Sequence, residues 1–176
     1  MSAMPLFDDP RPAPEPTPEP SVKHTEATML ERLRIRHNQT HGNGPRWVFA
    51  THVKDRAGAW HNRTADAVTV DLWPSKGNEM HGFEVKISRS DWLNEVRDPS
   101  KASAVKTYCD RWWLVIPTAD MVRPGELPVD WGLLVCHGAG LRVAKAAPKL
   151  KATPATRSFM AALLRAAVKT ERRRTT

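Results

Sequence analysis

The sequence has only two cysteines and no long uninterrupted apolar run. Cys109 and Cys136 lie in apolar stretches and lack the close spacing of a metal-binding knuckle, which favours reduced thiols packed in a core. No segment approaches the ~18 apolar residues that a membrane span needs, and the N-terminus lacks the basic and apolar regions of a signal peptide. We therefore expect a soluble cytoplasmic protein with no membrane partner.

Acidic residues are scarce relative to basic ones, with 19 Asp and Glu against 27 Lys and Arg and a net charge of +8. The first twenty residues hold four of the acids and a single arginine, so the rest of the chain is more basic still, near +11. A basic surface most often faces nucleic acid or anionic lipid, because neutralising phosphates releases condensed counterions. No lipid-anchor signal accompanies it, and we expect DNA as the partner.

The chain divides into a tail, one domain and a second tail. Residues 1–22 alternate proline with small or acidic residues, which predicts a disordered segment that is available to a protein partner. Residues 23–150 contain enough apolar side chains for one compact domain. Residues 151–176 predict a basic helix, and the final 28 residues carry a net charge of +7. That arm is either a solvated helix end or a phosphate-contacting arm.

Within the domain, the spacing of apolar residues changes from that of a helix to the alternation of a strand and later back again. A helix is predicted over 25–37 and strands over 46–53, 65–73 and 81–88. Short helices follow over 90–96 and 101–109, then a buried strand over 111–117 and a hairpin over 131–147. This order, α-β-β-β-α-β with a C-terminal hairpin and helix, predicts an α/β fold with a mixed central sheet flanked by helices.

Two acids and one lysine fall on adjacent predicted strands. Apolar and polar residues alternate over 81–88, so Glu84 and Lys86 share one face, about 6.6 Å apart at ~3.3 Å per residue. Asp66 begins the preceding strand and can stand beside Glu84 if the two strands are antiparallel neighbours. Two carboxylates can hold Mg²⁺ or Mn²⁺, and a nearby ammonium can offset charge on a phosphodiester transition state by roughly 3 kcal/mol.

Each of these residues also has an ordinary structural interpretation. An isolated Glu-x-Lys on a strand is usually part of a solvated face, and an isolated aspartate is usually a turn or strand-edge residue. Their combination in a basic domain favours a metal-dependent nuclease that cuts DNA. The alternative is a catalytically inactive DNA-binding module with the same fold, and a homodimer is left open.

Four motifs resemble one family. Asp66-Ala67-Val68, Glu84-Val85-Lys86, Ser90-Asp91-Trp92 and the segment 108–113 are similar to MmcB-like DNA repair proteins and phage relatives in the PD-(D/E)XK phosphodiesterase superfamily. The resemblance covers about residues 46–147. It implies a restriction-endonuclease-like sheet, a Mg²⁺ or Mn²⁺ site at Asp66, Glu84 and Val85, and a lysine, Lys86, that assists the attacking water.

The same resemblance implies that Glu31, on the first helix, reaches the metal, although an exposed helix residue is an equally good interpretation. The chain departs from the family at Ile87, where a small hydroxyl residue is common, and by extra residues at 98–100. Side chains near the motifs are candidate DNA contacts: Arg63, Arg89, Lys101, Lys106 and Tyr108. The alternatives are a solvated surface charge for each basic residue and a core position for the tyrosine.

Overall fold

The structure is a computed structural model that describes residues 24–41, 44–58, 63–98 and 100–175. The predicted tail over 1–22 lies outside the described residues. The helices are α1 (Glu26–Arg36), α2 (Arg89–Arg97), α3 (Ser100–Lys106) and α4 (Arg157–Thr175). The strands are β1 (Thr40–His41), β2 (Gly44–Pro45), β3 (Trp47–Lys54), β4 (Thr64–Asp71), β5 (Met80–Val85), β6 (Arg111–Ile116), β7 (Gly132–His137) and β8 (Gly140–Lys145).

Six strands form one sheet in the order β3-β4-β5-β6-β7-β8. The first three are antiparallel neighbours, β5, β6 and β7 run parallel, and β8 returns antiparallel to β7. The short strands β1 and β2 form a separate pair. The predicted α/β fold, with a mixed central sheet flanked by helices and a C-terminal helix, is confirmed. Since β5 and β6 are parallel, the chain crosses over between them through α2 and α3.

Helix α1 covers one face of the sheet. Thr25 and Thr28 form a capping box, in which the backbone N–H of each residue donates to the hydroxyl of the other at 2.9 and 3.2 Å. Met29 and Leu33 are buried with Phe83 in one core cluster. On the exposed side, the Arg36 guanidinium donates to the backbone carbonyl of Leu141 in β8 at 3.1 Å. The last turn of α1 is thereby held against β8, while its first residue, Glu26, lies near His52 of β3 and Asp66 of β4.

A second, larger core cluster draws side chains from the other three helices. It includes Trp92 of α2, Val105 of α3 and Phe159 of α4, packed around Trp112 of β6. Gly82 of β5 makes room for that indole, because a Cβ added there would lie 2.1 Å from Trp112 Cζ3. The cluster fixes α2 above the end of β5, which is where the candidate site lies.

Helix α4 packs along β3 and runs in the opposite direction. Near its start the backbone N–H of Ala57 donates to Ser158 Oγ at 3.2 Å, and near its end the N–H of Thr51 donates to Thr170 Oγ1 at 3.0 Å. Phe159 is fully buried beneath the helix. The predicted basic tail is therefore a helix packed on the domain. No helix in the described ranges is long and apolar enough to cross a membrane.

Candidate functional site

Asp66 and Glu84 lie side by side on neighbouring strands. The antiparallel register pairs Ala67 with Phe83, so the next step along β4 and β5 sets Asp66 opposite Glu84. Residues opposite each other in an antiparallel pair project from the same face. Asp66 Oδ2 also accepts a hydrogen bond of 2.7 Å from the backbone N–H of Val85. Both carboxylates are thus held at the end of β5.

Lys86 lies between two carboxylates. Its Nζ is 2.6 Å from Glu84 Oε1 and 3.0 Å from Glu95 Oε2 on α2. Glu84 and Glu95 are each only 7% exposed, and Glu95 Oε1 is buried without a hydrogen-bond partner among the described residues. The predicted neighbourhood of Asp66, Glu84 and Lys86 is therefore present in the structure, with Glu95 as an additional acid.

Burial and mutual repulsion shift the ionisation of these groups. Burial raises the pKa of Asp66, against the opposing effects of the Val85 N–H and the Lys86 ammonium. Burial, with the nearby Asp66 charge, raises the pKa of Glu84 to about 8. Burial alone would lower the pKa of Lys86, but the Glu84 and Glu95 carboxylates raise it overall. Ionising both carboxylates together is costly, and a cation between them would lower that cost.

The site opens into a cavity of about 400 Å³. Its polar lining includes Glu26, Asp66, Lys86, Asp91 and Glu95, together with Val85. The carboxylates and the backbone carbonyls at such a strand end are hard oxygen donors, the ligand class that Mg²⁺ and Mn²⁺ prefer. The cavity is therefore chemically suited to a divalent cation.

A second group of candidate ligands reaches the site from α1 and β3. Glu26, His52 and Asp66 each offer an oxygen or nitrogen atom, and these atoms lie within 4.8 Å of one another. His52 has a backbone φ of 52°, which is unusual for a residue with a side chain. The antiparallel register of β3 with β4, which pairs Thr51 with Ala67, brings His52 alongside Asp66.

The acid of α1 that reaches Asp66 is Glu26, whereas the resemblance implied Glu31. The Glu31 carboxylate instead accepts a hydrogen bond of 2.7 Å from Arg34 Nε, and its side chain is 52% exposed. Positions five apart on a helix point about 140° away from each other at 3.6 residues per turn. Glu26 follows the Thr25 cap, and its place beside Asp66 depends on how α1 lies on the sheet, which the spacing of residues within the helix does not encode.

Most of the predicted DNA contacts have structural partners. Arg89 forms a bidentate ion pair with Glu126. Lys106 forms an ion pair with Asp130, and its Nζ lies 5.6 Å from the centre of the Trp131 ring. Arg63 has an exposed side chain next to β4, and Tyr108 stacks on Phe159 at 4.3 Å. None of these four described side chains lines the cavity, and the side chain of Lys101 lies outside the described residues.

Comparisons with known proteins bear on the fold. No family model matches the sequence, and no curated protein matches it. A solved structure of SPO1766, a protein of unknown function from Silicibacter pomeroyi, is similar with a TM-score of 0.55. The match covers 88% of this chain and 91% of that chain at 22% identity. This likeness supports the architecture alone, and the relationship to MmcB-like proteins stays a prediction.

Proposed function

We propose that the protein is a metal-dependent nuclease that hydrolyses phosphodiester bonds in DNA, with Asp66, Glu84 and Lys86 as its central residues. The observation that carries the proposal is the meeting of the buried Glu84 carboxylate and the half-buried Asp66 carboxylate beside the Lys86 ammonium, with Asp66 and Lys86 lining an open cavity. Acids of raised pKa beside a charged partner in a cleft are typical of functional sites, and a divalent cation would offset the repulsion between Asp66 and Glu84.

The donor set fits Mg²⁺ or Mn²⁺. Asp66 and Glu84 would hold the ion, with the backbone carbonyl of Val85 as a third oxygen. The ion, when bound, supplies Lewis-acid polarisation of a phosphoryl oxygen and makes a water molecule more acidic. Lys86 would offset charge that develops on the phosphate, and Glu95 would hold its ammonium in place.

A catalytically inactive DNA-binding module is the second candidate, and one observation favours it. Lys86 Nζ already lies 2.6 Å from Glu84, so an internal ammonium partly satisfies the carboxylate that would otherwise bind the ion. Such a protein would bind DNA with a steep salt dependence and would not cut it.

Cleavage assays separate the two candidates. Purified protein would be incubated with Mg²⁺ or Mn²⁺ on labelled single-stranded, nicked, forked and duplex DNA, beside Asp66→Asn, Glu84→Gln and Lys86→Ala. We expect the wild type to cut, the carboxylate variants to lose cleavage, and Lys86→Ala to slow it roughly 10²- to 10³-fold while binding persists. Asp71→Asn, a buried acid at the other end of β4 that pairs with Arg46, is the matched control and should still cut.

Equal cleavage by wild type and all three variants would show that the activity comes from elsewhere. Binding without cleavage by the wild type, with either metal and on every substrate, would establish the second candidate.

A further inference from the structure

A basic groove of about 450 Å³ lies between β3 and α4. The small side chains of Ala162 and Ala166 line it, so the helix can approach the strand without filling the space. Five cations line the groove: Lys54, Arg56, Arg165, Lys169 and Arg173. Two of these cations lie on the β3 wall of the groove and three lie on the α4 wall. The positive charge therefore lines a concave surface and not a flat one.

The positive charge of this groove is poorly compensated within the protein. Arg165, Lys169 and Arg173 recur every four residues along α4, a spacing at which like charges repel one another. Arg56 pairs with Asp55 at 3.2 Å, but no acid in the described ranges forms an ion pair with Lys54, Arg165 or Lys169. The described residues that line the groove include no aspartate or glutamate. An anion from outside would relieve this repulsion.

The groove leads to the candidate active site. His52 lines the groove, and the same side chain belongs to the cluster in which ligand atoms of Glu26, His52 and Asp66 lie within 4.8 Å of one another. A chain of evenly spaced phosphates seated in the groove would therefore continue past His52 toward Asp66.

We propose that this groove binds one strand of nucleic acid through its phosphates and directs that strand to Asp66 and Glu84. A phosphodiester backbone supplies negative charges at regular intervals, which matches cations repeated along α4. A single strand can place its phosphates inside a concave groove of this volume, whereas a duplex presents its phosphates on a convex surface. Binding in the groove is independent of the proposed nuclease activity, and only the direction of the strand toward cleavage rests on it.

The test compares two charge-matched triple variants in EDTA, where cleavage cannot occur. The groove variant is Lys54→Ala/Arg165→Ala/Lys169→Ala. The control variant is Lys76→Ala/Arg142→Ala/Lys151→Ala, which removes the same residue types from exposed positions elsewhere. Fluorescence anisotropy with a short labelled single strand gives the affinity over a range of salt concentrations. Because all six side chains are exposed, neither variant should melt below the wild type.

We expect the groove variant to bind at least about tenfold more weakly, and the salt slope of log K to fall by about 2, at roughly 0.7 per phosphate contact on a single strand. The control should stay near the wild type. Equal losses in both variants would reduce the effect to net charge and overturn the proposal. Tighter groove-dependent binding of duplex than of single strand would overturn the single-strand assignment. Loss of binding to phosphatidylserine vesicles with unchanged DNA binding would assign the groove to a membrane surface instead.

The same variants in a cleavage assay with Mn²⁺ separate this inference from the nuclease proposal. If the wild type cuts, the groove variant should cut the single strand more slowly than the control does at limiting substrate. If the wild type binds through the groove and cuts nothing, the nuclease proposal fails and the groove proposal stands.

Discussion

Asp66 Oδ2 accepts a 2.7 Å hydrogen bond from the backbone N–H of Val85, the last residue of β5. This bond fixes the carboxylate of one strand to the main chain of the next, at the position where the candidate metal ligands meet. The site is consequently built into the sheet, and loops contribute to its rim.

Replacing Asp66 by Asn should separate the structural role of this residue from its charge. The amide oxygen of the variant can still accept a hydrogen bond from the Val85 N–H. The variant also lacks the Asp66 carboxylate, whose pKa is raised by burial. We therefore expect Asp66→Asn to melt in EDTA at pH 7 no lower than the wild type, and to lose the stabilisation that Mn²⁺ gives. Asp66→Ala leaves a buried donor unpaired and should cost about 1–3 kcal/mol. Equal destabilisation by Asn and Ala would contradict this assignment.

The stability of the metal-free protein should depend on the ionisation of Glu84. Its pKa is about 8 in the folded protein, against an ordinary value of 4.5, so the folded state binds the proton more tightly than the unfolded state does. The stability that the protonated form contributes is complete below pH 4.5 and is lost as the pH rises to about 8.

Urea denaturation in EDTA between pH 5 and pH 9 measures this dependence. Relative to Glu84→Gln, the wild type should lose up to roughly 1.4 kcal/mol of unfolding free energy per pH unit, levelling off above about pH 8. A free-energy difference between the two proteins that stays constant over this range would exclude a raised pKa at Glu84.

Glu26 and Glu31 form a matched pair of acids on the same helix. Glu26 offers an oxygen within 4.8 Å of candidate ligand atoms of His52 and Asp66, whereas Glu31 pairs with Arg34. We expect Glu26→Gln to weaken Mn²⁺ binding roughly tenfold, in the range that residues around a metal site give, and Glu31→Gln to leave it unchanged. Isothermal titration calorimetry measures both affinities, and the reverse ranking would restore Glu31 to the site.

The backbone conformation of His52 should lower the stability of the protein, while its side chain should contribute to metal binding. Its backbone φ of 52° costs an ordinary residue about 1–2 kcal/mol, a cost that glycine does not have. We expect His52→Gly to be at least as stable as His52→Ala in chemical denaturation, and both variants to bind Mn²⁺ more weakly. Unchanged Mn²⁺ affinity in both variants would leave His52 with a backbone role alone.

Gly82 should tolerate no side chain. A Cβ at this position would lie 2.1 Å from Trp112 Cζ3 and 3.0 Å from Cys109 Sγ, both in the core. Gly82→Ala should therefore lower the unfolding free energy by about 3 kcal/mol. Gly140→Ala is the control, because the nearest atom to its new Cβ would be 3.8 Å away. A Gly82 variant as stable as the control would show that the Trp112 indole can move aside.

The sequence alone was sufficient for the parts of the fold that depend on local period. The alternation of apolar and polar residues over 81–88 predicted that Glu84 and Lys86 lie close together, as they do in the structure. Strand β5 nevertheless ends at Val85, because Ser88 caps α2 and the chain turns into that helix. The antiparallel arrangement that brings Asp66 to Glu84 followed from the short connection between their strands. These features rest on neighbours in sequence, where propensity and spacing are informative.

The features that the sequence did not predict rest on distant contacts. His52 joins the site through the register of β3, and Glu26 joins it through the way α1 lies on the sheet. Arg89 was predicted to contact DNA from its place next to the motif, and its ion pair with Glu126, 37 residues away, was not evident from the sequence. The charge of α4 was evident in the sequence, but its groove requires β3 as the opposite wall.

The position of Leu141 bears on how this protein can assemble. Strand β8 is the last strand at one end of the sheet, and the Leu141 carbonyl is occupied by Arg36 of α1. The exposed Arg142 follows it. Another copy that tried to add a strand along this border would have to displace one guanidinium and desolvate another. Intermolecular sheet growth is therefore disfavoured at β8.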